Sequence, residues 1–227
     1  MNDYTIIKNY EKIITGKSTL FLDSRLQELL KRKLGKIKYN IYKPYIDSDK
    51  VIYYTDNKPI ILLYELICNN NLKHQDILGT LFSLGIDPSM YGDILIIDNH
   101  YYIYILDIIE NYLLNNLNII NNSKIVLRKI DIDYLKDYKR NYLDLEIIVS
   151  SERIDTITSS LIHLNRLKVI DKIKNREVLV NYDIPKNSYK VSIGDIISIK
   201  KYGKYKYNGI IKNTKKNNYI ISISKYI

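Results

Sequence analysis

The sequence predicts an α+β protein built from three small units. They are an N-terminal α/β domain over 1–58, a ferredoxin-like plait over 59–131, and a C-terminal module over 149–227 reached through a linker and strand at 132–148. Three observations carry this. Hydrophobic residues make up 46% of the 227, enough to bury real cores. Helical and strand-like periods alternate along the first 130 residues. The charge balance changes abruptly near residue 150.

Residues 2–15 and 20–34 show helical spacing. In the second of these, Leu20, Leu22, Leu26, Leu29, Leu30 and Leu34 form one apolar face, Asp23 or Ser24 is the expected cap, and Gly35 the stop. Short strands are expected at 37–42 and 50–54. Residues 59–131 then give strands at 60–67, 93–97, 101–106 and 124–130, with helices at 74–84 and 107–118. Asp98-Asn99-His100 supplies a tight turn between the middle strands. The order strand–helix–strand–strand–helix–strand is that of the split βαβ plait. RNA-recognition domains share it and stack bases on strand aromatics. Tyr101, Tyr102 and Tyr104 are the candidates here, with cross-strand packing as the competing role in a chain of 23 tyrosines.

Polar residues 131–142 are expected to link this plait to a strand at 143–149. A helix then opens near Ser151, its expected cap, with Ile154, Ile157, Leu161 and Leu164 as its buried stripe. A second helix begins at the cap Asn165 and runs to Lys174. Leu167, Ile170 and Ile173 are expected to face inward, while Lys168 and Lys172 share another face. Asn175 is the expected left-handed stop, followed by strand Val178–Val180, a turn at Asn181-Tyr182-Asp183, and a Gly194-Asp195 turn before another strand.

Net charge is +10, from 35 Lys+Arg against 25 Asp+Glu. Met1–Val149 holds 19 basic and 19 acidic residues, whereas Ser150–Ile227 holds 16 and 6. Beyond Asp195 there is no acidic residue at all. Biased codon usage acts on both halves alike and does not produce such an asymmetry. A phosphate backbone is attracted to such a surface through release of its condensed counterions. An anionic membrane would require the lysines on an amphipathic helix or beside a lipidation signal. They interleave instead with strand-like, tyrosine-rich sequence.

Other chemistries find little support. Cys68 is the single cysteine, which excludes a disulfide within the chain and a cysteine-based zinc site; a small buried residue in a strand is its expected role. His74, His100 and His163 are dispersed, and none has a metal ligand at usable spacing. Asp3, Lys8, Glu11 and Lys12 are incompatible with a signal-peptide core, and no apolar run approaches the length of a membrane span. The expectation is a monomer in the cytoplasm without a cofactor.

Two short helices followed by Val178-x-Val180-Asn181 and a later Gly194-Asp195 resemble the alpha-L RNA-binding module, named after ribosomal protein S-four. The likeness is wider than that module. Ile77–Ile86, Tyr91-Gly92-Asp93-Ile94-Leu95, Val149–Asp155 and Thr214-Lys215-Lys216 resemble the YlmH family. That resemblance implies a bacterial, ribosome-associated RNA binder without catalysis, acting in quality control on large subunits that carry an obstructed peptidyl-tRNA. The implied partners are ribosomal RNA of the large subunit and peptidyl-tRNA, and an association with cell division is also implied.

The implied RNA contacts are Arg153, Arg166 and Lys168 with the stretch Lys200, Lys201, Tyr202, Gly203, Lys204. Asn165, Lys172, Arg176, Lys206, Lys215 and Lys216 extend that surface. The chain departs from the family in having Asn165 for a serine, Asn175 for a glycine, Lys43-Pro44-Tyr45 for a Gly-Gly-Tyr stretch, and lysines in an Arg-Gly-x-Gly-Arg loop. Lysine keeps the charge and loses the bidentate fork. The rival class is an RNA-modifying enzyme, since Arg153-Ile154-Asp155 imitates a pseudouridine-synthase motif. The motif lies inside the RNA-binding helix, however, and no Gly-rich cofactor turn occurs.

Overall fold

A computed structural model describes residues 2–227, with side chains from Tyr4 onward. It divides into two compact units, Met1–Lys139 and Arg140–Ile227.

The first unit begins with helices α1 (Asn2–Ile14) and α2 (Ser24–Leu34). The side chain of Asp23 caps α2 by accepting from the Leu26 amide at 2.9 Å, so the helix starts four residues later than its leucine spacing suggests. Leu22 instead bridges to Val51 in an extended segment. Gly35 ends α2 at φ +56°, conformational space that glycine enters without a Cβ clash. Strands β1 (Asn40–Tyr42) and β2 (Ile52–Tyr54) form a small antiparallel ribbon.

Next come β3 (Ile61–Ile67), α3 (His74–Ser83), β4 (Tyr91–Ile97), β5 (His100–Leu106) and α4 (Glu110–Asn116). A two-residue ribbon of β6 (Ile119–Ile120) with β7 (Ser123–Lys124) precedes β8 (Val126–Ile130). The four long strands make one antiparallel sheet in the order β4-β5-β3-β8. The expected element order is present, and the β6–β7 ribbon is an addition.

Alternation along the strands sends their side chains to two cores. Tyr64, Leu66, Tyr101, Ile103 and Ile105 pack against Ile77, Leu81, Leu113 and Leu117 of α3, α4 and the turn that follows. Leu63, Leu95, Tyr102 and Tyr104 on the other face pack against Phe21, Tyr45, Ile52 and Leu135. Segments 1–58 and 59–131, expected as separate domains, therefore share a core, and the polar stretch after 131 anchors Leu135 in it. Close approach matters at Gly92, where an added Cβ would meet Phe21 and Tyr104 at 3.1 Å. Cys68 sits just past the end of β3, half-buried rather than enclosed in the strand, with its thiol against the Asn70 carbonyl.

The second unit contains β9 (Tyr142–Val149), α5 (Ile154–Ile162), α6 (Arg166–Lys174), β10 (Val178–Val180), β11 (Ile196–Ile199), β12 (Gly203–Asn213) and β13 (Tyr219–Tyr226). The strands form an antiparallel sheet ordered β10-β11-β12-β13-β9. Its core joins Ile154, Ile157, Ile162, Val169 and Ile173 of the helices to Ile197, Tyr205, Tyr207, Ile221 and Ile223 of the sheet. The helix faces differ from expectation in two places. Leu167 is 75% exposed and Val169 occupies the inward position, because a buried stripe of Val169 and Ile173 excludes the phase of 167. Leu161 and Leu164 pack only partly, and Ile162 is buried in their stead.

Candidate nucleic-acid interface

The centre of the second unit is the buried carboxylate of Asp155, in the first turn of α5 and 0% exposed. The Arg153 guanidinium grips it from two nitrogens, Nε at 3.2 Å from Oδ1 and Nη2 at 2.9 Å from Oδ2. Arg166, the first residue of α6, donates its Nε to Oδ2 at 2.8 Å. Burial pushes the Asp155 carboxyl up, but hydrogen bonds and charge from Arg166 and Arg153 outweigh it and hold the carboxyl below its ordinary value. Both arginines keep their outer ends in water, with side chains 40% and 51% exposed. One carboxylate thus ties the starts of two helices together and fixes two cations at the surface.

Neighbouring contacts hold this arrangement. The expected cap Ser151 does not cap α5. Its hydroxyl meets that of Thr156 at 3.2 Å, and Arg153 occupies the cap position without a side-chain cap bond. Glu152 anchors the segment instead, accepting from the Tyr207 hydroxyl at 2.7 Å and from Lys190 at 3.0 Å. The hydrogen bond from the Tyr207 hydroxyl, with that of Lys190 and its charge, holds the Glu152 carboxyl below its ordinary value against the burial that raises it. Asn165 caps α6 as expected, accepting from the Lys168 amide at 2.9 Å. His163 ends α5 in the left-handed conformation at φ 51°.

The Val-x-Val-Asn and Gly-Asp motifs have a structural meaning. Asn181 donates its amide side chain to Asp195 at 2.7 Å and accepts from the Ile196 amide at 2.9 Å. Asp195 also accepts from Tyr189 and from the Ser192 amide. The two motif residues therefore lock the β10 end to the β11 start.

The other expected contact residues fall into groups. Lys168 is exposed on α6. Lys172 pairs with Glu177 at 2.7 Å. The left-handed residue after α6 is Arg176, at φ 59°, and Asn175 stays at φ −80°. The backbone of Lys200 donates to the Glu177 carbonyl at 2.8 Å, which brings the turn between β11 and β12 beside the C-terminal end of α6. In that turn Lys201 takes φ 72° and Tyr202 is exposed, while at the start of β12 Gly203 takes φ 114° and Lys204 donates to the Tyr182 hydroxyl at 3.1 Å. Lys206 lies on the exposed side of β12, between the buried Tyr205 and Tyr207. Lys215 and Lys216 sit in the turn between β12 and β13 at the far end of the 11-residue β12. At roughly 3.3 Å per residue they stand about 30 Å from the Lys200–Lys204 turn.

Sequence reasoning singled out Arg153 and Arg166 but not their joint grip on Asp155, nor Glu152 and Tyr207 as supports. Only the adjacency of Glu152, Arg153 and Asp155 hinted at it. Among the described residues, no group of three or more His, Cys, Asp or Glu could hold a metal ion, and no helix is long and apolar enough to cross a membrane.

The chain is thus an α+β protein whose second unit displays fixed cations. Residues 68–134, in the first unit, match the family model described as the putative RNA-binding domain in YlmH. "Ribosome-associated protein quality control protein P2" of Bacillus subtilis (strain 168) is 27% identical over 159 residues, covering 68% of this chain and 61% of that protein. The match thus spans less than two thirds of that relative's length. A solved structure, the cell division protein ylmH from Streptococcus pneumoniae, has a TM-score of 0.49 at 17% identity, covering 60% of this chain and 96% of that one. The family-model match and the B. subtilis relative agree with the resemblance to the YlmH family that the motifs carry.

Proposed function

We propose that this protein binds structured RNA of the large ribosomal subunit without chemistry, within quality control of subunits carrying an obstructed peptidyl-tRNA. The observation that carries this reading is the Asp155 clamp, which presents two arginine heads at fixed positions before any ligand arrives. Phosphates are the complementary ligand, because guanidinium forks match their oxygens. Support comes also from the charge excess of the second unit and from the B. subtilis relative, named for ribosome-associated quality control. In this reading α5, α6 and Val178–Asn181 form an alpha-L module. The sheet β4-β5-β3-β8 with α3 and α4 forms a ferredoxin-like plait. Arg153, Asn165, Arg166, Lys168, Arg176, Lys200, Lys201 and Tyr202 then make the principal surface. Lys172 and Lys204, tied to Glu177 and Tyr182, shape it from behind.

The test is co-sedimentation with large subunits across a salt series. Arg153→Ala with Arg166→Ala removes both phosphate contacts, and the log–log salt slope falls by about 2. That double variant strands Asp155, so a triple variant, Arg153→Gln, Asp155→Asn and Arg166→Gln, keeps the buried site neutral. Wild-type sedimentation of the folded triple variant would refute the site.

A further inference from the structure

We infer that an open cavity on the β4-β5-β3-β8 sheet, lined by Tyr102, Tyr134, Asp98 and Asp137, is a receptor for an arginine side chain of a partner protein. On the face that packs on Phe21 and Tyr45, Tyr102 and Leu135 belong to the buried core, and Ile97, Ile130 and Tyr138 pack against it. Beside these residues lies a cavity of about 660 Å³ that opens to solvent and is lined by residues of the first unit alone. Tyr102 is its floor and Tyr134 its wall, with ring centroids 6.0 Å apart. His100 continues the floor, nearly parallel to Tyr102 at 19°. Of the three tyrosines that are candidates for stacking, only Tyr102 reaches this cavity: Tyr101 faces the helices and Tyr104 is sealed beneath Tyr45.

Charge decides the occupant. Glu65, 4% exposed, already accepts from His100 Nδ1 at 2.8 Å and from Arg128 Nε at 2.9 Å, so that pair is internally neutral. Asp98 and Asp137 line the same cavity, are exposed, and form no ion pair among the described residues. The lining is therefore acidic, which repels the phosphates that flank any nucleobase. A guanidinium meets every element of it: a flat cation stacks on tyrosine faces and donates to carboxylates in its own plane. Lysine matches the charge but not the shape.

The inference is independent of RNA binding by the second unit, so the two fail separately. The test uses the full chain, with the methyl signals of Ile97, Ile130 and Leu135 followed by NMR as acetyl-Gly-Arg-Gly-amide is added. Saturable shifts are expected with this probe, and none with its citrulline counterpart, which keeps the shape without the charge. Asp98→Asn with Asp137→Asn is expected to weaken binding about tenfold, through the loss of two exposed pairs. Both positions are at the surface, and an unchanged melting temperature checks the fold. Shifts produced by guanosine or cytidine monophosphate but not by the arginine peptide would overturn the inference in favour of a base site. Silence from every probe would overturn it outright.

Discussion

Replacing Asp155 by Asn separates positioned cations from bulk charge. The change is nearly isosteric, so packing around the 0% exposed side chain stays, while the charge that receives Arg153 and Arg166 is lost. A hydrogen bond to a charged group contributes about 1.5–3 kcal/mol. Three such bonds weaken here, but both arginines are half in water and recover hydration, and the carboxylate's own burial cost disappears. The net loss is expected at about 2–4 kcal/mol. At about 4–8 °C per kcal/mol for a unit of this size, melting falls by roughly 10–25 °C. Circular dichroism and the methyl signals of Ile157 and Ile223 report it. Binding gives the sharper test. The variant is more positive than the wild type, so unpositioned electrostatics would tighten RNA binding. Loss of fixed guanidiniums weakens it instead. Wild-type melting together with tighter binding below the new transition would refute the reasoning.

Three further outcomes follow. Gly92→Ala places a Cβ 3.1 Å from Phe21 and Tyr104, and is expected to cost about 1–3 kcal/mol, read as a lower urea midpoint for the first unit. Acid should destabilise both units. Asp155 and Glu65 have folded pKa values lowered by their arginine partners, and by His100 for Glu65, against a burial that raises them. Their contribution is full above the unfolded values and is lost as pH falls from about 5 through the folded ones, which urea midpoints between pH 7 and 3 will show. Lys200→Ala with Lys201→Ala and Lys215→Ala with Lys216→Ala should lower RNA affinity additively, because the two turns stand about 30 Å apart. Strong coupling in a double-mutant cycle would argue against separate contacts.

Local signals were legible where one side chain decides the outcome. Asp23 and Asn165 cap their helices, and Gly35 stops α2, because cap chemistry is contained in a few adjacent residues. The phase of α6 was misread at Leu167, since leucine and valine serve either side of a short helix until the sheet beneath selects one. The left-handed residue falls on Arg176 rather than Asn175, one position along, where propensity yields to the geometry of the entry into β10. The packing of Phe21 and Tyr45 on the middle sheet was invisible, being a contact between residues far apart in the chain. The same holds for the clamp: Arg166 lies 11 positions from Asp155, and only the turn after α5 brings them together.

The clamp also determines when order is acquired. Each arginine carries a large rotamer entropy, and ligands commonly have to freeze such side chains at the moment of encounter. Here the folding reaction immobilises them. Capture of the ligand should accordingly show a small entropic barrier, with little rearrangement after contact. A mutation that loosens Asp155 transfers that ordering from folding to association, and should slow productive docking even where the final complex keeps every contact.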